Sequence, residues 1–194
     1  MPPEPAEPKP PTPTRHGATD LPAAFREKAA GVKLLCLDVD GTLTDGALYI
    51  NEDNVETRRY CVRDGQGIAA WQRLGYTTAI ITARPARSVR KRAKELAIPH
   101  LFDSVKDKRQ TILDLIKTLK LTQDQVAFVG DDLSDLRAMH TVGCPIAVGD
   151  ADQGIKDLSL LVTQAPGGHG AVREAIWAIL RAQNRLDHVM ALYS

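Results

Sequence analysis

Leu34-Leu-Cys-Leu-Asp38-Val-Asp40-Gly41-Thr42-Leu-Thr-Asp45 is the stretch whose reading decides the fold. The apolar run from Val32 to Leu37, broken only by Lys33, has the length and bounded character of a buried parallel strand. It stops abruptly at two carboxylates, Asp38 and Asp40, with Gly41 and Thr42 directly behind them. Ligands of α/β sheets gather beyond the carboxyl ends of the strands. Two acids placed there repel each other, and a cation relieves that repulsion. Mg²⁺ suits the position, because it takes a few carboxylates and keeps several waters. Gly41 lets the backbone pass close to an oxyanion, and Thr42 offers it a hydroxyl. The plainer alternative is a polar turn that merely follows a strand.

Outward from this stretch, strand-like and helix-like segments alternate. A helix from about Leu21, carrying Pro22-Ala-Ala-Phe-Arg-Glu-Lys-Ala-Ala, leads into the first strand. Ala47–Ile50 and Val55–Val62, separated by Asn51-Glu-Asp-Asn, read as a β-hairpin projecting from the active end. Next comes a helix through Ala69, Ala70, Trp71 and Leu74, closed by Gly75, and then a strand, Thr77–Ile81, ending at Thr82-Ala-Arg84-Pro. The basic helix beyond it, with Val89, Ala93 and Leu96 at helical spacing, reads as a solvated face rather than a nucleic-acid patch. A short strand near Leu101-Phe102 precedes a helix that buries Ile112, Leu115, Ile116 and Leu119. Val126–Val129 is another buried strand, and a helix from Leu133 to His140 follows it. Pro145–Val148, a short helix over 151–158, the strand Leu160–Thr163 and a last helix with Val172, Ala175, Ile176, Ile179 and Leu180 on one face complete the series. Alternation at this spacing predicts an α/β fold with a doubly wound parallel sheet.

The bulk properties set limits. With 194 residues, 43% of them hydrophobic, the chain can build one domain with a substantial core. A formal net charge of +1 supplies no field for nucleic acid, and no run of eighteen apolar residues is present to span a membrane. Cys36, Cys61 and Cys144 lack C-x-x-C spacing, and the N-terminus lacks the apolar core of a signal peptide, so a reducing cytoplasm is expected. Seven of the twelve prolines fall within the first thirteen positions. That composition buries no core, so residues 1–20 are expected to form a disordered tail, with a single domain over residues 21–194.

Three further polar sites stand at or just after strand-like segments. Thr82 can hydrogen-bond a phosphoryl oxygen, and Arg84 can pair with a charged substrate group. Lys108 can neutralise both a phosphoryl group and a carboxylate nucleophile. Asp131 can complete a Mg²⁺ ligand set, with Asp132 and Asp135 nearby. Each has a duller reading: Thr82 as a strand end, Lys108 as a surface residue, the aspartates as helix caps.

In combination they are specific. Asp-Val-Asp-Gly-Thr-Leu-Thr, then Thr82, Lys108 and Gly130-Asp-Asp-x-x-Asp135, resembles the four signatures of the haloacid dehalogenase-like phosphohydrolases in order and spacing. The resemblance implies a Rossmann-like core, with Asp38 as nucleophile and Asp40 as general acid/base. It implies catalytic roles for Thr82 and Lys108, and Mg²⁺ held by Asp38, the Asp40 backbone carbonyl and Asp131. The short connection from Thr44 to Arg63 leaves room for a β-hairpin but for no cap domain. The strings V-R-D-G-x-G-I, I-I-T-A-R and G-G-x-G-A-V-R-E extend the likeness over Val32–Gln183, toward capless members that act on sugar-acid phosphates. This finer resemblance implies a small sugar-phosphate substrate bound by Arg63, Gly65, Arg84 and Arg173. It also implies a homotetramer assembled through the hairpins, with Gly167-Gly-His-Gly as a flexible segment reaching a neighbour's site. Ala83, where the family more often has Gly, and the loop Ser104–Asp107 depart from the pattern. The rival readings are a related phosphatase acting on a nine-carbon sugar-acid phosphate, which the motifs alone do not separate; a mutase, which the absence of a cap domain argues against; and a non-catalytic oligomeric scaffold, which intact Asp38, Asp40, Lys108 and Asp131 argue against.

Overall fold

The computed structural model describes residues 21–193, so the expected proline-rich tail lies outside the described residues. Six strands form one parallel sheet: β1 (Leu34–Leu37), β4 (Thr77–Ile81), β5 (His100–Phe102), β6 (Val126–Gly130), β7 (Cys144–Ala147) and β8 (Leu161–Val162). They lie in the order β5-β4-β1-β6-β7-β8, which is the doubly wound arrangement expected. All four residues of β1 are buried, as a strand covered on both faces requires. Leu37 stands level with Ile80 of β4 and Val129 of β6, so the chain runs out of all three strands at one edge. The order reverses direction between β1 and β6, and that crevice is where this topology binds ligands.

The helices are α1 (Ala23–Ala29), α2 (Val62–Arg73), α3 (Arg87–Glu95), α4 (Lys108–Leu119), α5 (Leu136–Met139), α6 (Gln153–Leu158), α7 (Ala171–Ala182) and α8 (Leu186–Ala191). Phe25, Trp71, Phe128, Met139 and Ile179 are among the side chains packed into the core around the sheet. α2 and α7 lie together because Gly67 leaves room for the backbone and stem of Arg173. Asp64, in the first turn of α2, accepts from the backbone N–H groups of Gly170 (3.2 Å) and Arg173 (2.7 Å). One helix thereby caps the other, satisfying donors that the first turn of α7 leaves open. Burial pushes the Asp64 carboxyl up, and those two N–H groups oppose the shift.

The hairpin is shorter than its sequence suggests. Its strands are only β2 (Tyr49–Ile50) and β3 (Glu56–Thr57), antiparallel, with a separate bridge between Thr44 and Tyr60. Val62, expected in the second strand, instead begins α2, and the expected helix at 133–140 is a 3₁₀ turn, Leu133–Asp135, running into α5. Asp132 and Asp135 explain the turn, since their side chains bind backbone N–H groups at its start.

Candidate active site

Asp38 is the first residue beyond β1, and its N–H donates to the carbonyl of Val129. Asp131 is the first beyond β6, and Thr82 the first beyond β4. The three therefore converge because their strands are neighbours. Lys108 opens α4 behind the N-cap Asp107, whose carboxylate accepts from the N–H groups of Arg109 and Gln110. That cap fixes the turn from which the lysine enters the site. Its ammonium lies 2.7 Å from Asp38 Oδ1 and 2.7 Å from Asp135 Oδ1, with only 6% of the residue exposed. Burial works against the charge on Lys108, but the Asp38 and Asp135 carboxylates outweigh it and hold its pKa above the ordinary value.

Asp135 is wholly buried and fully engaged. Its Oδ1 takes the lysine, and its Oδ2 accepts from the Asp131 N–H at 3.1 Å. Sequence reading placed Asp135 only near the metal position, because the signature does not reveal which acid Lys108 will reach. Gly130 has no side chain where the Asp135 carboxylate sits. Gly41 plays the same part for Asp131: at φ +90° it takes the left-handed conformation, and a β-carbon there would collide with the Asp131 carboxylate. Thr42 donates its hydroxyl to Asp131 Oδ1 at 2.9 Å.

Asp38, Asp131 and Asp135 each bring a carboxylate oxygen within 4.8 Å of the others. Three carboxylates with one ammonium leave an excess of negative charge in a buried place. Burial, then the charge of Asp135, pushes Asp38 up to about 7, although Lys108 opposes it. Burial, then the charge of Asp38, raises Asp131 to about 7. This donor set fits a hard divalent cation, which would let both carboxylates ionise. Asp38 and Asp131 are the carboxylates with capacity to hold it, since Asp135 is committed to Lys108 and backbone donors.

Asp40 stands apart. Its carboxylate is absent from the metal group and pairs instead with Arg58, Nε to Oδ1 at 2.6 Å. Arg58 was missed by sequence reading, because alternation in so short a hairpin gives no sign of which arginine turns inward. Arg84, half-exposed, reaches back to Glu56 at 3.0 Å. Thr82 is buried, and its hydroxyl accepts from the Arg84 N–H at 3.3 Å.

The remaining expected substrate residues lie elsewhere. Gly65 is buried within α2 under the guanidinium of Arg92 and beside Leu96, so its role in the fold is to admit α3. Arg63 and Arg173 meet each other, Arg173 Nη1 donating to the Arg63 carbonyl at 3.2 Å. Arg173 also stacks over Trp177, with its Cζ 4.3 Å from the ring centre. Both line a cleft of about 320 Å³ together with His169 and Trp177. The expectation of a free Gly167-Gly-His-Gly segment is corrected. Gly167 and Gly168 pack directly on the backbone of Gly41, Thr44 and Asp45 in their own chain. Gly168 N–H donates to the Thr42 carbonyl at 3.0 Å, and Gly167 N–H to Asp150 at 2.8 Å. The glycines serve close backbone approach, not reach.

Known proteins bear on this geometry. A profile of the haloacid dehalogenase-like hydrolases matches residues 100–176. The 3-deoxy-D-manno-octulosonate 8-phosphate phosphatase of Yersinia pestis is 39% identical over 166 residues, 86% of this chain and 89% of that one. The chain belongs to the haloacid dehalogenase-like hydrolases. The Escherichia coli K12 protein of the same phosphatase name is 41% identical over 160 residues, 82% of this chain and 85% of its own. Among solved structures, the Moraxella catarrhalis 3-deoxy-D-manno-octulosonate 8-phosphate phosphatase superposes with a TM-score of 0.85 at 38% identity, covering 88% of this chain and 98% of that one. It was solved with magnesium, phosphate and 3-deoxy-D-manno-octulosonate (KDO). As a haloacid dehalogenase-like phosphatase, the chain is a phosphoric monoester hydrolase, and its Asp38, Asp131 and Asp135 group fits a divalent cation such as the magnesium in the Moraxella structure.

Proposed function

We propose that the protein hydrolyses KDO 8-phosphate to the free sugar acid and phosphate, through an aspartyl-phosphate, in the cytoplasm and on the route to lipopolysaccharide precursors. One observation carries the chemistry: Lys108 bridges Asp38 and Asp135 beside Asp131, while Asp40 keeps a separate partner. Asp38 attacks phosphorus in line, and the bond from phosphorus to the sugar oxygen breaks as Asp40 gives that oxygen a proton. Asp40 then takes a proton from a water that attacks the acyl phosphate, releasing phosphate and restoring Asp38. Lys108 and Thr82 hold the equatorial oxygens as their charge redistributes. Asp38, Asp131 and the Asp40 carbonyl would hold a Mg²⁺ ion, which would supply positive charge against the repulsion between the entering phosphate and the carboxylates. Arg84, in the loop after β4 at the same sheet edge, supplies a cation for the substrate's carboxylate, whereas Arg63 and Arg173 line the separate cleft beside His169 and Trp177.

Phosphate release measured on KDO 8-phosphate and on a nine-carbon sugar-acid 9-phosphate tests the substrate. The eight-carbon substrate is expected to have the higher kcat/KM, by about tenfold or more. The reverse order would assign the nine-carbon substrate. No release from either, with Mg²⁺ present, would favour the scaffold reading.

The same reading includes a homotetramer joined through the hairpins. Tyr49, Ile50 and Val55 are 53%, 60% and 56% exposed, and this apolar cluster on a two-stranded ribbon is costly in water. Ile50→Lys is expected to lower the mass seen by light scattering and to weaken sugar selectivity. An unchanged mass would place the interface elsewhere.

A further inference from the structure

Asp38 and Asp40 are one residue apart, yet their carboxylates have no partner in common. Lys108 takes the first, and Arg58 takes the second. The arginine's position is expensive. Its side chain is fully buried, Nε lies 2.6 Å from Asp40 and Nη1 lies 3.2 Å from Glu56 Oε2. Nη2 is also buried and has no protein partner among the described residues. Burying a guanidinium with an open donor is a poor way to stabilise a fold, since an apolar residue would fill the same space at lower cost. Such groups occur where chemistry requires them. Glu56, besides holding Arg58, binds Arg84 at 3.0 Å, so the arginine is braced from the hairpin and from the loop after β4.

We propose that Arg58 is the positioning residue of the acid/base Asp40: by fixing Oδ1, it keeps this carboxylate out of the metal group and leaves Oδ2 to exchange the proton with the leaving oxygen. The inference rests on the phosphatase reading and on Asp40 as acid/base. Without Arg58, the Asp40 carboxylate loses the cation that holds its Oδ1 at 2.6 Å. The proton donor then becomes misdirected while the nucleophile, the metal ligands and Lys108 stay in place. Separate environments for neighbouring carboxylates are a general means of giving them separate roles.

The leaving group distinguishes this role from a structural one. A sugar alkoxide needs a proton as it departs, whereas a nitrophenolate departs without one. Arg58→Met is therefore expected to lower kcat on KDO 8-phosphate by about 100-fold, and on p-nitrophenyl phosphate by less than about tenfold, with KM for the sugar phosphate little changed. Arg58→Lys keeps one cation near Asp40 and is expected to show the same asymmetry with smaller losses. It also serves if the methionine variant fails to give a cooperative thermal transition. Equal losses on the two substrates, in whichever variant folds, would overturn the proposal, as would a loss confined to KM. An inactive parent enzyme would instead count against the phosphatase reading on which the proposal rests.

Discussion

Asp38→Asn is expected to lower turnover by about 10⁴-fold or more, with a cooperative unfolding transition retained. The amide nitrogen and carbonyl form no acyl phosphate at a useful rate, and the substitution also removes a charged oxygen from the metal group. The fold should tolerate the change. Asp38 is buried with an excess of negative charge around it, and Lys108 keeps Asp135 as a partner. Turnover is read as phosphate release under saturating Mg²⁺, with melting followed by circular dichroism. A parent-like rate in a folded variant would rule out Asp38 as the nucleophile.

Chelation and pH give the second large effect. Burial and neighbouring carboxylates hold Asp38 and Asp131 at about 7 without a metal, well above the usual carboxylate range. A folded pKa raised above the unfolded value means that the folded protein keeps protons which the unfolded chain has already released. The stability these groups contribute is thus fully present below the ordinary carboxylate pKa and is lost as pH rises through about 7. In EDTA the melting temperature is therefore expected to fall between about pH 4 and pH 7. Mg²⁺ binds the ionised carboxylates, so its stabilising effect should grow over the same window. Activity should vanish in EDTA and return with Mg²⁺, and Asp131→Ala should need far more metal for that return. A metal effect on melting that stayed constant across this window would contradict the assigned ligands. Full activity after thorough chelation would remove the metal role altogether.

Much of this site was legible because its residues stand at strand ends, where sequence distance hardly matters. Asp38, Thr82 and Asp131 each follow an apolar run, and adjacent parallel strands deliver them to one edge. Lys108 was legible by its order among the signatures. The partners of these residues were not. That Lys108 chooses Asp135, and that Asp135 then serves as a brace rather than a free ligand, depends on where α4 enters relative to the turn after β6. Arg58 and Arg59 are equivalent in a string of letters. Only the hairpin's twist buries the first on Asp40 and leaves the second near Asp45 and His169.

The glycines mark the same boundary. Gly65 in the sequence suggested proximity to a ligand, and Gly167-Gly-His-Gly suggested freedom to move. Gly65 instead admits α3 against α2, as Gly67 admits α7, and Gly167 and Gly168 pack against Gly41, Thr44 and Asp45. A glycine's neighbours across space are set by helix packing and loop docking, which local sequence does not encode. By itself the sequence determined the parallel sheet, the edge where chemistry occurs and the acids at that edge, because hydrophobic period and strand ends are local properties. Tertiary structure alone decided which cation meets which carboxylate, since a charge pair a few ångströms apart is a matter of contacts between elements far apart in the chain.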